Sequence, residues 1–131
     1  MFSKNGALII RSMNDLTING MKVYVPAKDH ELSRRFYEEL GFDVKEAWNG
    51  NYDCSLGPVI FRLQNYYVKD WAGNFMMQFE VNDAQAWYEK AKAIIDTGRY
   101  PTAKVMPTQD NGDVSITHVI DPSGVLLIFI Q

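Results

Sequence analysis

At 131 residues and 47% apolar composition, the chain has the length of one domain and enough apolar side chains to bury a real core. Its formal net charge of −3 and sequence pI near 5.3 exclude a nucleic-acid surface, because phosphate binding needs clustered Lys and Arg. The only basic doublet, Arg34-Arg35, sits among Glu31, Glu38 and Glu39 and reads as a solvated helix face. A single cysteine, Cys54, rules out an internal disulfide, no Cys/His spacing suits a metal, and a reducing cytoplasm is the expected compartment. Cys54 itself reads as a small strand residue.

Residues 1–20 contain only a short apolar run, ALII, too short for a signal peptide core or a membrane span, and are expected to be either an N-terminal extension of a soluble protein or the product of an upstream start codon. MKVYV (21–25) predicts a strand. Asp29 then caps a helix on which Leu32, Phe36 and Leu40 recur every four residues, and Gly41 stops it. Strands are predicted at FDVKEAW, NYDCSL and PVIFRLQ, separated by turn residues at 49–51 and at Gly57-Pro58. This completes a module of about 21–65. The aromatic stretch YYVKDWAG (66–73) is expected to connect it to a second module of about 74–131.

The second module starts with the strand NFMMQFEV. Asn82 or Asp83 caps a helix with Ala84, Trp87, Ala91 and Ile94 or Ile95 on one side, and Gly98 ends it. Strands follow at AKVMP, DVSITHVI and VLLIFI. The order βαβββ thus occurs twice, which predicts an α+β domain of two paired βαβββ modules.

VPAKD, RRFYEELGF and the C-terminal DPSGVLLIFIQ, taken together over residues 21–131, resemble the glyoxalase/bleomycin-resistance/extradiol-dioxygenase (vicinal oxygen chelate) superfamily, in its bleomycin-resistance branch. The resemblance implies a curved mixed sheet around a cavity, and a homodimer with grooves built across the subunit interface. In metal-dependent members, four cavity-facing His, Gln or Glu side chains hold the ion. Counted from Asp29, Asp83 and Asp121, three of those positions fall here on Lys22, Met76 and Ile128. The fourth falls on Arg62, or on Phe61 if the register slips by one; strand alternation favours Arg62. None of these side chains is a ligand for a divalent transition metal.

No other chemistry stands out. His30 lies in the first turn of a helix and His118 in a strand; Glu46 and Glu80 lack a partner at defined spacing; GxGxxG, GxxxxGK[ST] and GxSxG are missing. No catalytic residue, metal or cofactor is therefore expected, and a binding protein is expected in place of an enzyme. The alternative, an enzyme resembling lactoylglutathione lyase with an atypical site, rests on fold analogy alone.

Strand alternation groups Lys22 with Tyr24, Arg62 with Gln64, Met76 with Gln78, and Ile128 with Leu126 and Ile130 on the cavity side. The opposite parity, Val23, Val25, Met77, Phe79, Val81, Leu127 and Phe129, is apolar and is expected beneath the helices. Trp48, Tyr52, Tyr66, Tyr67, Trp71 and Phe75 cluster where bleomycin-resistance members carry their groove walls. Lys22, Tyr24, Trp48, Tyr52, Arg62, Gln64, Trp71, Met76, Gln78 and Ile128 are thus the candidate ligand contacts. The expected partner is a small aromatic or amphipathic molecule, an antibiotic included, held by sequestration; neither nucleic acid nor membrane is expected. The resemblance implies a cationic drug in an acidic groove, whereas Lys22 and Arg62 favour an acidic or carbonyl-bearing ligand unless Glu80 or Asp53 neutralises Arg62.

Overall fold

The structure, a computed structural model, describes residues 16–131. The ALII run and most of the expected N-terminal extension lie outside the described residues; residues 16–20 are exposed and belong to neither helix nor strand. The elements in chain order are β1 (Tyr24–Pro26), α1 (His30–Leu40), β2 (Asp43–Glu46), β3 (Tyr52–Leu56), β4 (Val59–Gln64), α2 (Lys69–Asn74), β5 (Met76–Glu80), α3 (Ala84–Ile95), β6 (Lys104–Val105), β7 (Gln109–Asp110), β8 (Ser115–Ile120) and β9 (Leu126–Ile130). They form two mixed sheets, ordered β1-β4-β3-β2 and β5-β9-β8-β6, with β7 paired to β8. In each sheet the strand before the long helix lies parallel to the last strand of its module, β1 to β4 and β5 to β9, and the remaining pairings are antiparallel. This is the predicted doubled βαβββ order in an α+β fold. Among the described residues no helix is long and apolar enough to cross a membrane.

The helix boundaries follow from capping chemistry. Asp29, in an extended conformation, accepts the Leu32 N–H at 3.1 Å, and Gly41 ends α1 at φ 113°, a left-handed conformation that disfavours any side chain. Asp83, not Asn82, caps α3 by accepting the Ala86 N–H at 3.0 Å. The end of α3 departs from expectation: Asp96 is its C-cap, and Gly98, at φ 80°, lies in the turn beyond.

Three further expectations are corrected. The first strand is shorter than MKVYV, with the Val23 carbonyl accepting the Arg62 N–H at 2.9 Å as its outermost rung. The connection between modules carries the short helix α2, anchored by the buried Ala72. Trp48 is not in a strand: β2 stops at Glu46, and Trp48–Gly50 forms a tight 3-10 turn in which Asn49 takes φ 57°.

One core serves both modules. Val25, Cys54, Phe61 and Leu63 of the first sheet, Phe79, Val119, Leu127 and Phe129 of the second, and Phe36, Tyr37, Leu40, Ala91 and Ile94 from the long helices are all buried in it. Phe42 joins the halves, meeting Phe61 edge-on at 5.4 Å and Phe79 at 5.9 Å. Of the parity expected beneath the helices, Val25, Phe79, Leu127 and Phe129 are buried and Met77 and Val81 pack against the core, but Val23 is exposed at the sheet edge. Burial pushes the Cys54 thiol up to about 12.

The two terminal sequence motifs meet in space. Buried Asp121 accepts the Ser123 and Val125 N–H groups at 2.8 and 3.0 Å on one carboxylate oxygen and the Tyr37 hydroxyl at 2.6 Å on the other. Ser123 Oγ accepts the Lys28 N–H at 2.8 Å and lies 3.2 Å from Ser33 Oγ. The DPSG turn of the second module is thus bonded to the AKD approach and first long helix of the first.

Candidate functional site

The long helices cover one face of each sheet and leave the other open. Strand alternation decides which side chains stand on the open faces. On the first sheet, lateral pairing sets Tyr24 beside Arg62, Arg62 beside Asp53 and Asp53 beside Lys45. Phe61 is buried in the core, so the register places Arg62, not Phe61, on the open side.

Here the side chains interlock. Arg62 donates from Nε to Asp53 Oδ1 at 2.8 Å and from Nη2 to Oδ2 at 3.2 Å, a bidentate pair. Lys22 Nζ reaches the same Oδ2 at 2.7 Å. Arg62 Nη1 also donates to the Tyr24 hydroxyl at 3.3 Å, and Trp48 Nε1 donates to that oxygen at 3.2 Å. The Arg62 guanidinium holds the Asp53 carboxyl below its ordinary range, aided by Lys22 and opposed by partial desolvation. The same guanidinium, with Trp48, lowers the Tyr24 phenol, while Asp53 raises the pKa of Arg62. Asp53 is therefore the group that neutralises Arg62; Glu80 is an exposed residue of the second sheet.

On the second sheet, Gln78 lies beside Ile128, which faces His118 on its other side, and Met76 lies beside Leu126, which faces Ile120. Met76 is 61% exposed. Where the two sheets approach, Val23, Ile60, Phe75, Met76 and Gln78 contribute to an apolar groove of about 280 Å³. Ile60 and Arg62 are alternate residues of β4 and share its open face, so the groove leads toward the Tyr24–Arg62–Asp53–Lys22 network.

The ten candidate contacts therefore divide. Lys22, Tyr24, Trp48 and Arg62 form one hydrogen-bonded unit with Asp53, Gln64 shares the face of Arg62, and Met76 and Gln78 line the groove. Ile128 stands on the second sheet's open face beside Gln78. Trp71 belongs to α2 and packs between Tyr66 at 6.4 Å and Phe75 at 6.0 Å, so it reaches the groove only through Phe75. Tyr52 lies on the other side of the first sheet, stacked on His30 at 4.6 Å with its hydroxyl donating to Glu31 at 2.5 Å. Its parity, adjacent to Asp53 in β3, was the signal for that placement. A feature the sequence did not point to is a second apolar pocket of about 200 Å³ at the module junction, lined in part by Phe42, Val59, Phe79, Trp87 and Phe129.

Among the described residues, no three His, Cys, Asp or Glu side chains come together in a way that could hold a metal ion. The four positions that the resemblance assigns to metal ligands carry an ammonium, a guanidinium, a thioether and an alkyl group, and two of these are fixed in ion pairs to Asp53.

No protein-family model matches this sequence, and comparison with curated proteins returns no match. Solved structures do match. The bleomycin resistance determinant encoded on the transposon Tn5 superposes with a TM-score of 0.68 at 21% identity, covering 87% of this chain and 98% of the other. The bleomycin-binding protein from bleomycin-producing Streptomyces verticillus, complexed with copper(II)-bleomycin, gives 0.69 at 19% identity over 87% and 96%. A glyoxalase/bleomycin resistance protein from Streptomyces sp. CB03234 gives 0.63 at 17% identity over 83% and 96%. With its doubled βαβββ order and these superpositions, the chain has the vicinal-oxygen-chelate fold of the bleomycin-resistance and glyoxalase/bleomycin-resistance proteins.

Proposed function

We propose that the protein binds a small aromatic or amphipathic molecule and acts by sequestering it, without catalysis. The observation that carries this reading is the open face of the first sheet. There a polar network is already locked in place beside an apolar groove, and Trp48, 65% exposed, presents a flat ring at its edge. Convergent polar groups next to apolar walls are the usual make-up of a small-molecule site, and aromatic faces stack on planar ligands at little entropic cost. The bleomycin-binding protein that shares the fold was crystallised with its drug, which supports the same kind of work on this scaffold. In this reading the protein works as a homodimer, in which a second copy covers exposed Val23, Ile60 and Met76 and closes the groove.

Thermal unfolding in the presence of bleomycin-type glycopeptides, planar dyes and aromatic acids tests the proposal. A ligand at a hundredfold excess over its Kd adds about 2.7 kcal/mol of stability and must raise Tm. Trp48→Ala is expected to weaken the best ligand by about tenfold, the equivalent of ~1.4 kcal/mol, while leaving the unliganded Tm almost unchanged because the ring is exposed. No stabilisation by any class of compound would overturn the reading.

A further inference from the structure

The polar network has an unequal supply of donors and acceptors. Tyr24 Oη already accepts two hydrogen bonds, one from Arg62 and one from Trp48, so what it has left to offer a ligand is its own proton. Arg62 uses three of its N–H groups, two on Asp53 and one on Tyr24; a guanidinium has about five, so roughly two remain. Lys22 spends one N–H on Asp53 and keeps about two. The only acceptor in the group beyond the phenol is the Asp53 carboxylate, which already accepts three hydrogen bonds, one on Oδ1 and two on Oδ2, and so keeps about one of its roughly four lone-pair sites. Two cations thus share one anion, leaving a net charge of +1, and the neighbouring Lys45 has its own partner in Asp43 at 3.6 Å.

The donors are also held in place. The Arg62 side chain is only 13% exposed, is fixed by two bonds to Asp53 and lies over the Tyr24 ring, its guanidinium carbon 5.6 Å from the centroid. The Trp48 indole is fixed on Tyr24 by its N–H, and its tight turn includes Asn49 in a left-handed conformation that most side chains avoid. The lowered Tyr24 phenol fits the same picture, because donors gathered around an oxygen stabilise negative charge there.

We infer that Tyr24, Arg62 and Lys22 form a recognition subsite for a carboxylate on the ligand, with Trp48 beside it to stack on the ring that bears the carboxylate. This deepens the binding reading and rests on it, and it names the opposite charge class from a cationic glycopeptide. A cationic group placed here would meet spare donors and a net positive charge, with only about one carboxylate lone pair left to receive it.

Three matched probes test the charge class by calorimetry at low ionic strength: 1-naphthoate, neutral 1-naphthamide and 1-naphthylmethylammonium. The naphthoate is expected to bind at least tenfold more tightly than the cation, and added salt should erode that preference. Tyr24→Phe, which removes the hydroxyl and leaves the ring, is expected to weaken naphthoate about three- to tenfold and to leave the cation's binding unchanged. Lys22→Gln, at an exposed position that does not threaten folding, is expected to reduce the preference for naphthoate over naphthamide. Equal or tighter binding of the cation overturns the assignment, as does an unchanged naphthoate affinity in both variants. If none of the three probes binds while a cationic drug raises Tm, the carboxylate subsite falls and the binding reading stands. If nothing in either set binds, both fall.

Discussion

Phe129→Ala is expected to lower the unfolding free energy by about 3–5 kcal/mol, read as a lower urea midpoint at an unchanged slope. Phe129 is 1% exposed, and its ring is stacked between Trp87, 4.6 Å away at 12°, and Phe79, 5.2 Å away at 24°. Its strand, β9, is central in the second sheet, parallel to β5 on one side and antiparallel to β8 on the other. Truncation would remove the middle ring of that stack from a core that both modules share and widen the pocket at their junction. Against a total stability of about 5–15 kcal/mol for an ordinary domain, a loss of this size is large. Ile128, one residue away, points to the open face and is half-buried, so Ile128→Ala should cost clearly less. Equal midpoints for the two variants would contradict the assignment of faces in β9.

Stability is expected to decline by about 2 kcal/mol as pH rises from 4 to 7, through the ionisation of Asp121. Burial raises this carboxyl from 3.8 to about 6, against hydrogen bonds from Tyr37, Val125 and Ser123 that favour the charged form. The folded protein therefore keeps its proton to higher pH than the unfolded chain does. Below about pH 4 both states hold the proton and the contribution is complete; between about 4 and 6 only the folded state holds it, and the contribution drains away as pH climbs through the folded value. Tyr37, the ionisable group bonded to it, is itself pushed well above its ordinary value by burial and stays neutral. Asp53 and Glu31, held low mainly by Arg62 and Tyr52, act with the opposite sign: their contribution is complete at neutral pH and is lost as pH falls through and below their ordinary values of 3.8 and 4.5. Urea midpoints at pH 4.5 and 7 for the wild type and Asp121→Asn check the effect. The decline should disappear in the variant, and equal slopes in both would remove Asp121 as its source.

Much of the scaffold was legible because it is written in local chemistry. Asp and Asn are favoured helix caps, so Asp29 and the Asn82-Asp83 pair marked the two helix starts; the left-handed turn that ends α1 favours Gly41; and alternation placed Arg62, not Phe61, on the open face. The errors fall where long-range contacts override local pattern. Residues 66–73 carry no strong helical period, yet Ala72 finds a buried seat and a turn of helix forms around it. Tyr52 was grouped with the groove aromatics by proximity in sequence, although its neighbour Asp53 and the period of two send it to the far side. Val23 has core-facing parity but lies at a sheet edge with nothing to cover it. The candidate site was half visible: the positions that the resemblance assigns to metal ligands pointed to Lys22 and Arg62, but that one carboxylate, Asp53, would bind both depends on a three-strand register that only the folded sheet supplies.

The lone thiol offers a use that its packing dictates. Cys54 is fully buried in the middle of the first sheet, and its raised pKa leaves almost no thiolate at neutral pH. An alkylating reagent can therefore modify it only in molecules that have opened, and with one cysteine per chain every modified molecule records one such opening. The labelling rate is a clock built into the native protein. A compound held by the folded state must slow it, so ligands can be sought in mixtures without dye, tag or engineered residue.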